Sequence, residues 1–266
     1  MKKKSEVIHL QWNGKQRDIE YQWVGVNNTT APLMIFLHEG LGSIAHWQNW
    51  PEHLCQALGY RGLIYSRYAY GQSTPRPATE KWHGDYLHIE AQQALPALLK
   101  ALNVTESFTL FGHSDGATIA LLYAAMPKHL AKNIIVLAPH LYIEPMTTAG
   151  VQQAIEWYKQ GDLRQRLSRY HADVDSAFWG WAGVWGDEYY LHHWNIEQDI
   201  KHIKCPVLAI QGTDDEYASL AQIYDLKKHV PHTETCALEV CRHSPYIDMP
   251  DRVIDLVTQF LAKQPM

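Results

Sequence analysis

Several things are missing from this sequence of 266 residues, and each absence excludes something. No run of about 18 consecutive apolar residues occurs, so no segment reads as a membrane span. Positive charge is not in excess: 23 Lys and Arg stand against 28 Asp and Glu, a formal net charge of -5. The molecule as a whole therefore has no attraction for nucleic acid or anionic lipid. There is no glycine-rich dinucleotide fingerprint, no phosphate loop, no internal repeat and no low-complexity linker. The opening Met1-Lys2-Lys3-Lys4 is basic, but no apolar run follows. Ser5 to Trp12 alternates instead, which reads as a half-buried strand and not as a signal peptide. Cysteine is limited to Cys55, Cys205, Cys236 and Cys241. Without an export signal these are expected to be reduced thiols in a cytoplasmic protein. Cys236, Cys241 and His243 match no standard zinc spacing, and His192-His193 lacks a matching ligand pair, so neither metal nor cofactor is expected.

What is present is a regular alternation. Two short alternating runs flank Asn13-Gly14, a strong hairpin signal, over roughly Val7 to Trp23. Apolar runs of strand length follow at Leu33–Leu37, Gly62–Tyr65, Phe108–Phe111, Ile134–Leu137 and Val207–Ile210. Continuous apolar runs suit central parallel strands covered on both faces. Helical stretches lie between them, at Tyr86 to Leu102 and Ala117 to Ala125. The predicted class is α/β, with a mostly parallel central sheet flanked by helices. The rhythm breaks between about Leu141 and His202, where helical pieces carry Trp179, Trp181, Trp185 and Trp194, of ten tryptophans in all. The expectation is a core of 1–140 and 203–266 interrupted by a helical lid over 141–202. The competing reading is a helical subdomain whose aromatics pack on the sheet, and the two are compatible.

Gly112-His113-Ser114-Asp115-Gly116 fits G-x-S-x-G, a turn that lifts a serine hydroxyl out of a sheet onto a helix N-terminus. A strand-like run precedes it and a small-residue helix follows, the context the motif requires. A serine needs a base, and the base an orienting carboxylate. Both are available at strand ends. Gly212-Thr213-Asp214-Asp215 follows the Val207–Ile210 run, and His243-Ser244-Pro245 follows a strand expected over Thr235 to Val240. Any one of 16 histidines is more often a solvated or core residue, but the position of His243 favours a base.

At these residues the chain resembles the α/β-hydrolases. Leu37 to Ser43 resembles their oxyanion loop, Ser66 to Ser73 the turn after the next strand, and Gly112 to Gly116 the nucleophile elbow. Gly212 to Asp215 resembles the acid turn and His243 to Pro245 the histidine loop. The resemblance implies an α/β-hydrolase fold with Ser114 as nucleophile, His243 as base and Asp215 as acid, with Asp214 the neighbouring turn residue. It also implies oxyanion donors on the backbone N–H groups of Asp115 and Gly40. Where the family usually has His-Gly, this chain has His38-Glu39-Gly40. Glu39 has two open roles, contact to substrate or a hydrogen bond within its loop; the second is expected, since buried carboxylates are normally paired.

Serine at the elbow argues against dehalogenases and epoxide hydrolases, which the family builds on aspartate. The expected activity is hydrolysis of a carboxylic ester through an acyl-enzyme. The alternatives are a carbon–carbon bond hydrolase of ring-cleavage products and a non-catalytic binding protein on the same fold; the intact triad counts against the latter. Phe178, Trp179, Trp181 and Trp185 offer large apolar surface and suggest an apolar acyl chain. Lys159, Arg164, Arg166 and Arg169 form a basic cluster, of which Lys159, Arg166 and Arg169 fall on one face at helical spacing. A solvated face is the usual fate of such a run. The functional reading is a dock for an acidic partner. In this the chain resembles the esterases that cleave the methyl ester of a pimeloyl-acyl carrier protein in biotin synthesis, and an acyl carrier protein is the implied partner.

Overall fold

The computed structural model describes residues 4–264. Met1, Lys2 and Lys3 of the basic N-terminus lie outside the described residues. In chain order the elements are β1 (Glu6–Trp12), β2 (Lys15–Gly25), β3 (Leu33–Leu37), α1 (Trp50–Leu58), β4 (Arg61–Tyr65) and α2 (Tyr86–Ile89). After a π-helical turn at Glu90–Ala94 come α3 (Leu95–Ala101), β5 (Phe108–His113), α4 (Asp115–Ala124) and β6 (Ala131–Leu137). Then follow α5 (Pro145–Gln160), α6 (Leu163–Leu167), α7 (Val174–Trp185), α8 (Glu188–His193) and a short 3₁₀ turn at Asp199–His202. The chain closes with β7 (Val207–Gly212), α9 (Ala221–His229), β8 (Thr233–Leu238), α10 (Pro245–Asp248) and α11 (Pro250–Ala262).

The strands form one eight-stranded sheet in the order β1-β2-β4-β3-β5-β6-β7-β8. Only β2 runs against its neighbours; all pairs from β4 to β8 are parallel. The hairpin turn falls on Asn13 and Gly14, with φ of 49° and 70°, the two positive values a tight primed turn demands. The central strands are buried along their whole length because both faces are covered. Leu33, Ile35 and Leu37 of β3 face a layer built by α3, α4 and α9. Met34 and Phe36 face the opposite layer, built by α1 and α11. The predicted helix from Tyr86 forms as a continuous run over 86–101, with the π turn just before Pro96, which cannot donate an N–H to a regular turn.

The order reverses at β3: its connection leads to β4 on one side, while β5 lies on the other. Loops leaving the C-terminal ends of β3 and β5 therefore diverge and open a crevice, the usual ligand position in such sheets. The 141–202 segment is helical, from α5 to the 3₁₀ turn. Its buried residues Val151, Phe178, Trp185 and Ile196 belong to the same apolar cluster as the sheet residues beneath α4.

Candidate active site

The turn between β5 and α4 is set by two close approaches. A Cβ on Gly112 would stand 2.3 Å from the Gly116 carbonyl oxygen, and one on Gly116 would stand 1.9 Å from that of Leu37. Only glycine fits at either position. Between them Ser114 adopts φ 53°, ψ -117°, a strained conformation for a residue with a side chain. Its N–H is held by the Leu137 carbonyl at 2.9 Å, and Ser114 caps the N-terminus of α4.

The structure brings Ser114, His243 and Asp215 together from three loops. Ser114 Oγ lies 3.0 Å from His243 Nε2. Both Asp215 oxygens lie 2.9 Å from His243 Nδ1. Asp215 also accepts from the Tyr217 and Ala218 N–H groups, at 2.8 and 3.2 Å, and from Gln211 Nε2 at 2.8 Å. Burial pushes the Asp215 carboxyl up, but His243 and these donors outweigh it and hold it below its ordinary value. Burial likewise disfavours the His243 imidazolium, yet Asp215 raises its pKa above the ordinary histidine value. Asp214 is exposed and accepts only from Thr213 Oγ1, at 3.1 Å. His113 Nε2 donates to the His243 carbonyl at 2.7 Å and so fixes the loop that carries His243.

The loop after β3 is organised around one carbonyl. The Glu39 oxygen accepts from His38 Nδ1 at 2.8 Å, Arg67 Nη2 at 2.9 Å and the Gly42 N–H at 3.1 Å. His38 Nε2 accepts from the Arg67 N–H at 3.0 Å, which leaves the ring proton on Nδ1. A trans peptide sets its N–H opposite its carbonyl, so pinning the Glu39 oxygen also orients the N–H of Gly40. A Cβ on Gly40 would meet Trp181 Nε1 at 2.4 Å, so the indole of α7 lies directly on this loop. The Glu39 side chain pairs with His46 at 2.9 Å. Burial alone would raise the Glu39 carboxyl; the histidines around it, His46 first, bring it below its ordinary value.

Asp115 sends its buried carboxylate away from Ser114. It accepts from Arg67 Nη2 at 3.2 Å and Tyr86 Oη at 2.7 Å, and Trp185 Nε1 donates to that tyrosine oxygen at 2.5 Å. A chain of contacts thus runs from α7 to Asp115, the residue beside Ser114. Sequence reasoning gave no role to Arg67, though it lies in the Ser66 to Ser73 turn, or to Tyr86, which lies in no motif. It also missed His140, although His140 stands at a strand end, the same signal that marked Asp215 and His243.

The four aromatic candidates separate. Trp181 lies on Gly40, and the Trp185 ring lies 5.2 Å from that of His140. Phe178 instead stacks on Tyr158 at 3.6 Å inside the segment, and Trp179 is 38% exposed and edge-on to Tyr158. The helical turn sends Trp179 to another face of α7, whereas Phe178 shares the face of Trp181 and Trp185 and packs against the Trp181 ring at 6.0 Å. The basic residues do not share one helix face either. Gly161, at φ -105°, ψ -156°, ends α5, leaving Lys159 on α5, Arg164 and Arg166 on α6, and Arg169 beyond it. Arg164 is spent on Asp175 through bonds of 3.1 and 2.6 Å, and Lys159 lies over the Trp179 ring. Among the described residues no group of three His, Cys, Asp or Glu side chains is placed to hold a metal ion, and no helix is long and apolar enough to cross a membrane.

A sheet of this order, with a strained serine in its crevice, defines a hydrolase architecture, and the chain belongs to the alpha/beta hydrolase family, whose model matches residues 34–256. It is 25% identical to the proline iminopeptidase of Heyndrickxia coagulans over 91% of this chain and 94% of that one. Among solved structures, an esterase from Thermogutta terrifontis superimposes with a TM-score of 0.73 at 15% identity, covering 98% of this chain and 99% of that one. A meta-cleavage product hydrolase from Pseudomonas fluorescens superimposes with a TM-score of 0.74 at 15% identity, covering 96% and 97%. At such identities the structural likeness is one of fold.

Proposed function

We propose that this hydrolase cleaves a carboxylic ester with an apolar acyl chain through an acyl-enzyme. The observation that carries the reading is the 3.0 Å approach of Ser114 Oγ to His243 Nε2, with the opposite ring nitrogen bound by both Asp215 oxygens. His243 takes the hydroxyl proton as Ser114 attacks the carbonyl, and Asp215 holds the tautomer and stabilises the imidazolium. The N–H groups of Gly40 and Asp115 receive the oxyanion. His243 then returns the proton to the departing alcohol, and water releases the acid by the same route. The 141–202 segment serves as the lid. Trp181, on Gly40, and Trp185, beside His140, supply the apolar surface that supports the apolar chain.

The test is a panel of p-nitrophenyl esters of graded acyl length, beside thioesters and a dienone acid. Turnover that grows from acetyl to longer acyl chains supports the reading. Activity confined to acetyl esters removes the apolar chain, and turnover of the dienone acid alone moves the reaction to carbon–carbon cleavage. The exposed cations Lys159, Arg166 and Arg169 support a second element of the proposal, docking of an acidic partner such as an acyl carrier protein on the lid.

A further inference from the structure

Beyond Leu137 the chain is bent back towards the site. Ala138 takes φ +48°, a left-handed conformation that a side chain bears at a cost, and its N–H is held by the Ile210 carbonyl at 2.9 Å. Pro139 follows. Both backbone groups of His140 are then engaged by one hydroxyl: Thr118 Oγ1 donates to the His140 carbonyl at 2.9 Å and accepts from its N–H at 3.3 Å. Thr118 itself lies one turn along α4, its N–H on the Ser114 carbonyl at 3.0 Å. The next residue is fixed as well, Leu141 N–H to Gln222 Oε1 at 2.7 Å. Position 140 is therefore anchored to the same turn of helix as Ser114.

The His140 ring is 3% exposed, with its centroid 5.9 Å from that of His243 and 5.2 Å from that of Trp185. Its Nδ1 has no hydrogen-bond partner among the described residues. Burial, aided by the charge of His243, brings the imidazole down to about 3, so it stays neutral wherever the base works. A neutral imidazole has one donor and one acceptor nitrogen. Buried polar atoms normally have partners, and an exception beside reacting groups on strained, anchored backbone asks for a functional account.

We propose that His140 determines specificity by hydrogen-bonding a neutral oxygen function of the substrate, a hydroxyl or ketone near the scissile carbonyl. A substrate carboxylate fits less well, since the ring carries no charge and Asp215 and Glu39 already bear negatively on this site. The inference rests on the serine hydrolase reading, and its test separates the two. Phenylboronic acid and its 3-hydroxy and 4-hydroxy derivatives add to a serine: the Oγ–B bond forms and the hydroxyl proton passes to His243. Their dissociation constants are measured by calorimetry. The wild type is expected to bind one hydroxy derivative about tenfold tighter than the parent. His140→Phe, which keeps a ring without nitrogens, is expected to erase that difference while the parent's affinity changes less than about twofold; His140→Gln restores part of it. In ester assays the same preference should appear for p-nitrophenyl 3-hydroxybutyrate over the butyrate, as a change of KM more than of kcat. Equal wild-type affinity for all three acids, or a preference that survives His140→Phe, overturns the inference. So does an equal loss on every probe without rescue by Gln, which marks the ring as a mere support for His243. Boronate binding that Ser114→Ala leaves unchanged sinks the serine hydrolase reading, and the inference with it.

Discussion

At the scale of single residues, the site is a set of protons with assigned places. Replacing Ser114 or His243 by Ala is expected to lower kcat by about a thousandfold or more, and Asp215→Asn to cost far more than Asp214→Asn, measured on the best ester of the panel. Because Asp215 raises the His243 pKa, kcat/KM should rise with pH through an apparent value above the ordinary 6.5 or so, and Asp215→Asn should move that limb down. The pair also stabilises the fold within a window. The contribution of His243 is complete below the ordinary imidazole value and is lost as pH rises through the raised one. That of Asp215 is present above the ordinary carboxylate value and is lost as pH falls through the lowered one. A pH–rate profile whose acid limb lies below the ordinary histidine range would contradict this account. Ser114, Asp215 and His243 were legible because each follows a strand, Ser114 and Asp215 an apolar one and His243 the β8 strand Thr233–Leu238. Arg67, Tyr86 and His46 were not, since they act through packing partners distant in sequence, and no local pattern reports such a pairing.

At the scale of elements, local turn chemistry carried the reading where one residue type alone fits. Asn13-Gly14 and Gly112 to Gly116 are such cases. Gly116→Ala must drive a Cβ into the Leu37 carbonyl of the neighbouring strand, which is backbone and has little room to move. A destabilisation on the order of 3 kcal/mol is expected, read by chemical denaturation, with Gly183→Ala as a control because a Cβ there meets nothing within 4 Å. Comparable stability of the two variants would remove the steric account of the elbow. The sequence was less informative over 141–202. Its spacing put the basic residues on one helix, but Gly161 takes an extended conformation and splits it into α5 and α6. The sequence grouped four aromatics as one apolar surface, whereas α7 turns Trp179 to another face and Phe178, on the face of Trp181, stacks on Tyr158 of α5.

At the scale of the molecule, the mostly parallel sheet with helices on both faces was legible in the alternation of strand-like and helical runs, but the order of its strands was not. How the 141–202 segment lies on that sheet was not legible either, because its apolar residues merge with the sheet's own core. The charge distribution supplies a test at this scale. Reversing Arg166 and Arg169 to Glu is expected to weaken turnover of an ester carried on an acidic protein, more at low salt than at high, and to spare a small p-nitrophenyl ester. Arg164→Gln, which unties Asp175, should instead affect both substrates. Equal loss on both from the double reversal would assign these arginines to the structure of the 141–202 segment. The bond from Trp185 to Tyr86 has an optical consequence. Its indole N–H is buried and satisfied only while α7 rests on the core. Lifting the segment would carry that indole into water and red-shift its emission, so substrate entry should be visible in the intrinsic fluorescence of the protein, and a Trp185→Phe variant should lose that signal.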